Sequence, residues 1–100
     1  MTEKVFTITV YSDPSHSWGK IKREVLVNLG VADKITRYSY QRGDFVYCEE
    51  DCDLTTVCMA LNQHNTRIKF VEKRSNRDSK IRSYERYEYG FDNVAFSTVS

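Results

Sequence analysis

Thr36-Arg37-Tyr38-Ser39-Tyr40-Gln41-Arg42-Gly43-Asp44-Phe45-Val46-Tyr47-Cys48-Glu49-Glu50-Asp51-Cys52-Asp53-Leu54-Thr55-Thr56-Val57-Cys58-Met59-Ala60-Leu61 is the stretch on which the fold turns. Thr36 to Gln41 alternates in the period-2 manner of a strand, and Phe45 to Cys48 returns as a second. Between them Gly43 supplies the positive φ that a tight hairpin requires. Asp53 is a good helix N-cap, and Leu54, Val57, Cys58 and Leu61 then form one apolar helical stripe. Asn62-Gln63-His64-Asn65 closes that helix, with Asn65 as the left-handed residue.

Upstream, Val5-Phe6-Thr7-Ile8-Thr9-Val10-Tyr11 is β-branched or aromatic throughout and reads as a strand. Ser12-Asp13-Pro14-Ser15 breaks it, because the residue before proline avoids the helical region. Ser15 or Ser17 can cap a helix there, and Trp18, Ile21, Val25 and Leu29 fall at spacings of three, four and four. That is one helical stripe, widened by Leu26, with Lys20, Lys22 and Arg23 toward solvent and Gly30 at the C-terminal turn. Downstream, Thr66-Arg67-Ile68-Lys69-Phe70-Val71-Glu72 reads as a last strand.

The order strand, helix, strand, strand, helix, strand predicts an α+β, ferredoxin-like βαββαβ fold. Its expected form is a four-stranded antiparallel sheet with two helices on one face. The rival is an α+β meander with the first strand at an edge. Residues 1–73 are expected to form the domain. Residues 74–100 read as a basic, Tyr-rich C-terminal extension, partly docked or disordered, with Ile81, Tyr84, Tyr87, Tyr89, Phe91, Val94 and Phe96 as its apolar content.

One hundred residues suffice for a single small domain. A content of 40% hydrophobic and 29% charged residues, with a mean hydropathy of −0.59, favours a soluble chain. A net charge of +1 excludes a polyanionic nucleic-acid mimic and a strongly basic coat protein, so electrostatic function must come from local patches. Cys48, Cys52 and Cys58 are odd in number and lack the paired spacing of zinc sites. With no apolar leader at Met1-Thr2-Glu3-Lys4, they read as thiols in a reducing cytoplasm. No run is long enough to span a bilayer, and no membrane partner is expected.

Two loops stand out as contact surfaces. Glu49, Glu50 and Asp51 begin a run of four carboxylates in five positions, suited to a basic partner, although acids before a helix also complement its dipole. Asp13, Ser15 and His16 precede Trp18 at the end of the first strand. The three can gather a carboxylate, hydroxyl and imidazole for catalysis, but a turn with a helix cap accounts for them as well. No catalytic residue, metal or cofactor is therefore assigned, and the residues favour a non-enzymatic reading over an enzymatic one. Trp18, Arg42, His16 and the acidic loop are the partner-binding candidates, because Trp, Tyr and Arg dominate interface hot spots. A second set, Tyr38 and Tyr40 with Arg37, Arg42 and Lys69 on the sheet and Arg74 and Arg77 in the tail, would bind RNA or single-stranded DNA. That binding would stack bases on an open sheet face.

The strings Asp13-Pro14-Ser15-His16-Ser17-Trp18, Tyr38-Ser39-Tyr40-Gln41-Arg42-Gly43 and Glu49-Glu50-Asp51-Cys52-Asp53 resemble small proteins encoded by tailed bacteriophages. Lys80-Ile81-Arg82-Ser83-Tyr84-Glu85-Arg86-Tyr87 is similar to their ending. The resemblance spans roughly residues 4–87 and carries over no catalytic residue. It implies an accessory protein of the host bacterial cytoplasm that binds and modulates a host or anti-phage defence protein. A nucleic-acid-binding module is the other expectation. The sequence does not separate a monomer from a homodimer.

Overall fold

A computed structural model of the chain describes residues 4–90; the readings placed on Phe91, Val94 and Phe96 lie outside them. The elements are β1 (Lys4–Ser12), β2 (Ser17–Lys22), α1 (Arg23–Asn28), β3 (Tyr40–Arg42), β4 (Phe45–Glu49), α2 (Asp53–Gln63), β5 (Thr66–Arg74) and β6 (Glu85–Arg86). Single 3-10 turns occupy Ala32–Lys34 and Lys80–Ser83.

The expected four-stranded antiparallel, ferredoxin-like sheet is not what forms. The sheet is mixed and six-stranded, in the order β5-β1-β2-β4-β3-β6. Its one parallel pair is β1 with β5, in register from Lys4 opposite Thr66 to Ser12 opposite Arg74. The difference begins at Ser17. The 3-4-4 stripe from Trp18 to Leu29 spans two elements, a strand through Lys22 and a helix of only six residues. Ser17–Lys22 folds back on β1 as a hairpin, with Tyr11 opposite Trp18. That extra reversal changes the direction of everything downstream. β4 lies antiparallel to β2 and so runs with β1; a helix then returns the chain, and β5 can meet β1 only in parallel.

Gly19 is the residue that commits this segment to a strand. A Cβ there would lie 2.6 Å from Leu54 Cδ1 and 3.2 Å from Ile8 Cγ2. The bare backbone thus lets α2 settle onto the sheet, and glycine is a poor interior residue for the helix expected there. After β2, the short helix ends where the sequence marks it. Gly30 has φ +74, its N–H donates to Val27 O at 3.0 Å, and Val31 N–H donates to Leu26 O at 3.0 Å. That pair of bonds is the Schellman closure. Asn65 likewise takes φ +56 at the end of α2, and Gly43 takes φ +57 in the β3–β4 turn.

Helix-side packing gathers Ile8, Ile21, Leu26, Val46, Cys48, Leu54, Val57, Ala60 and Leu61 into one cluster. Each Ile, Leu or Val among them contributes about 1.5–3 kcal/mol on burial. Arg23, also buried, pins the hairpin by donating to Gln41 Oε1 at 3.2 Å and Gly43 O at 3.0 Å. Asp53 is 1% exposed. It is the first residue of α2 rather than its cap, and its carboxylate turns to Thr36 and Ser39. It accepts from Thr36 N, Thr36 Oγ1 and Ser39 Oγ. Those bonds bend Thr36–Ser39 into a turn, so the strand expected from Thr36 begins only at Tyr40.

The opposite sheet face carries a second cluster of Trp18, Tyr40, Tyr47 and Ile81, flanked by Tyr11, Phe45 and Tyr84. Residues beyond 73 build much of it. Tyr84 meets Tyr47 with ring centres 5.1 Å apart, and β6 adds to β3 with Arg86 opposite Tyr40. Tyr87 then crosses back to the helix side, where its buried hydroxyl donates to Ala32 O at 2.6 Å.

Candidate functional site

Pairing of β2 with β4 sets Trp18 opposite Glu49, and Glu50 N–H donates to Ser17 O at 3.1 Å. The β1–β2 loop and the β4–α2 loop, some thirty residues apart in sequence, therefore become neighbours at one end of the sheet. Between them, the Thr36–Ser39 turn and the C-terminal strap lies a cleft of about 550 Å³ lined by His16, Trp18, Tyr38, Tyr40, Glu49, Asp51, Cys52, Arg82 and Arg86. That volume falls within the range of side-chain and small-ligand pockets.

Its floor is aromatic. Trp18 and Tyr40 meet edge to face at 6.2 Å between ring centres, and His16 lies 6.0 Å from Trp18. Both rings are held by cations from the strap. Arg82 stands 5.3 Å from the centre of Trp18, and Arg86 stands 4.5 Å from the centre of Tyr40. Of the aromatic candidates, Trp18 is 2% and Tyr40 8% exposed, and the ring that projects is Tyr38, at 69%.

One lip is acidic and the other is largely neutralised. Glu49 Oε1 accepts from Asp51 N at 2.9 Å, which curls the acidic loop inward, and Glu50 and Asp51 are exposed. Across the cleft, the buried Asp13 accepts from Arg82 Nε at 2.7 Å and Arg82 Nη2 at 3.0 Å. It also accepts from Ser15 N, His16 N and Ser79 N. The Arg82 guanidinium above all, aided by these backbone donors against the cost of burial, holds the Asp13 carboxyl well below the usual carboxylate range. Asp13 is thus the clasp between loop and strap, which accounts for it without a catalytic role.

Nor do the thiols present a nucleophile. Burial pushes Cys48, Cys52 and Cys58 all upward, away from the reactive thiolate. His16, Glu49 and Glu50 bring one donor atom each within 4.8 Å of one another. His16 and Glu50 are exposed, however, and Glu49 is already engaged, so the trio carries no metal assignment.

The structure therefore unites His16, Trp18, Glu49, Glu50 and Asp51 with Tyr38 and Tyr40, while other candidates lie apart. Arg37 touches the margin, its carbonyl accepting from Arg86 Nη1 at 3.2 Å. Arg42 is at the hairpin, about 13 Å farther along β4 at ~3.3 Å per residue, with its guanidinium 5.0 Å from the Tyr84 ring centre. Lys69 and Arg74 belong to β5 at the far margin of the sheet. Arg77 sits in an exposed bend closed by Ser75 Oγ. Of the two tyrosines offered for base stacking, Tyr40 is covered and Tyr38 projects. Arg82, Arg86 and Cys52 are the lining residues that sequence reading left out. The spacing of Arg82, Tyr84 and Arg86 was a usable signal, because alternate positions of a strap can interleave with rings.

No helix among the described residues is long and apolar enough to cross a membrane. Comparison of the chain with protein-family models, curated proteins and solved structures finds no match.

Proposed function

We propose that the chain is a non-enzymatic binding protein whose cleft receives a protruding basic side chain of a protein partner. The observation that carries this reading is the convergence of the acidic loop and the His16 loop on one aromatic-floored recess. Glu49, Glu50 and Asp51 supply three carboxylates at the lip, and Tyr38 offers an exposed ring. Of the two lining arginines, Arg82 is compensated by Asp13, which leaves Arg86 as the cation set against those three. A lysine or arginine entering between Tyr38 and Glu49 gains ring and carboxylate contacts together. The likeness to tailed-phage proteins supports a host or anti-phage defence protein as that partner.

The test is affinity capture from bacterial cells with wild type, Glu49→Lys/Glu50→Lys, and Tyr38→Ala. Charge reversal should weaken capture by about tenfold or more, and loss of the Tyr38 ring should weaken it measurably. Glu50 and Tyr38 are exposed, and because Glu49 is half-buried and accepts from Asp51 N, melting temperatures are compared to show that each variant is folded. Equal recovery of the same partner by all three proteins would refute this use of the cleft.

A further inference from the structure

β5 is a nine-residue strand paired only with β1 among the described residues, so its outer edge presents the N–H and C=O groups of every second residue. From Lys69 to Arg74 every residue is exposed. Phe70 and Val71, 53% and 39% exposed, sit at the middle of the strand on opposite faces, and Lys69 and Lys73 flank Val71 on the face away from the helices. On the helix-side face Glu72 is engaged by Ser12 Oγ at 3.0 Å and by Arg74 at 3.8 Å. Lys20 and Lys22 of β2 share the open face with the two β5 lysines.

This edge does not suit a second copy of itself. An antiparallel pairing centred on Val71 sets Lys69 against Lys73. One centred on Lys69 sets that residue against its own copy, and one centred on Phe70 gives neither lysine a carboxylate opposite. Nor does it suit a nucleic acid strand. The open face beside β5 carries Val5, Thr7, Thr9 and Val71. The ring there, Tyr11 opposite Lys73, is half-buried and packs against Tyr47 at 6.4 Å between ring centres rather than standing free for base stacking. A phosphodiester chain also cannot complete a peptide ladder.

We infer that the outer edge of β5 accepts an extended acidic segment of a protein as a seventh strand. Two carboxylates spaced like Lys69 and Lys73 lie opposite those lysines, and apolar side chains between them cover Phe70 and Val71. Backbone bonds hold the segment, and the charge pattern selects it. The surface is distinct from the cleft and does not depend on what the cleft binds.

The probe is a fluorescein-labelled heptapeptide with two glutamates at that spacing and valines between them, titrated by fluorescence anisotropy. Wild type should bind it saturably, and Lys69→Glu/Lys73→Glu should bind it at least about tenfold more weakly. A peptide with lysines in place of the glutamates should show the reverse preference. Backbone amide shifts on binding should centre on residues 66–74. Both substituted lysines are exposed, and an unchanged melting temperature confirms that the variant is folded. Absence of saturable binding, indifference to charge reversal, shifts confined to the cleft, or tighter binding of oligodeoxythymidine at the same edge would each overturn the inference.

Discussion

Replacing Asp13 by asparagine tests the clasp on which the cleft depends. The carboxylate side chain is fully buried and accepts five hydrogen bonds, two of them from Arg82. An asparagine can keep its oxygen toward Ser15 N, His16 N and Arg82 Nη2. Its amide nitrogen then faces Ser79 N–H and Arg82 Nε–H, donors against donors. Two charge-assisted bonds are lost at about 1.5–3 kcal/mol each. The Arg82 side chain is 31% exposed, so solvent screens the pair and the lower end applies. The expected cost is about 2–3 kcal/mol, or roughly 10–20 °C in Tm for a domain of this size. The pH dependence follows from the depressed acidity of Asp13, which Arg82 chiefly causes. Stability from the ionised group is complete above its ordinary pKa of 3.8 and drains away as pH falls below that value, by up to about 1.4 kcal/mol per pH unit. Urea melts at pH 7 and pH 3 should therefore show the gap between wild type and Asp13→Asn narrowing by about 1 kcal/mol at the lower pH. A variant within 2 °C of wild type at pH 7, taking about 2 °C as assay error, would refute the reasoning. So would a gap that does not change with pH.

Gly19→Ala should cost about 1 kcal/mol, since the new methyl must displace Leu54 Cδ1 from 2.6 Å. Combining it with Leu54→Ala should give a loss smaller than the sum of the two, read from a double-mutant cycle of chemical denaturation. Tyr87→Phe should cost about 1–2 kcal/mol by leaving the Ala32 carbonyl without its buried donor. Burial pushes the Tyr87 phenol up to about 12 from its ordinary 10.0. The stability it lends is thus whole below pH 10 and is lost as pH rises through about 12. Burial pushes Tyr47 up as well, so ultraviolet titration should show one fewer late-ionising tyrosine in the variant than in wild type.

Punctuation was the most legible part of this chain. Asp13-Pro14 ends a strand, and Gly30, Gly43 and Asn65 take the left-handed conformations that their turns require, because those demands are local. Misreading began where two periodicities coincide. Trp18, Ile21, Val25 and Leu29 satisfy a helix, yet Trp18 belongs to the open-face cluster and Ile21 to the helix-side one, which is the alternation of a strand. The choice between them is made by contacts remote in sequence, Leu54 over Gly19 and Arg82 over Trp18. The same holds for the site. Its acidic and aromatic residues are visible one by one, but their convergence depends on β2 lying beside β4, and the β2 strand was not foreseen. Asp53 shows a third kind of failure, a residue suited to capping that instead serves the buried turn at Thr36 and Ser39.

The pairing of β1 with β5 joins residues roughly sixty positions apart. During synthesis the amino-terminal hairpin thus leaves the ribosome with one flank bare, and the segment that will cover it has not yet been translated. Such delayed, non-local closure favours slow assembly and leaves the nascent hairpin open to mispairing. A chain of this topology accordingly gains most from chaperone shelter in the interval before its seventies are made.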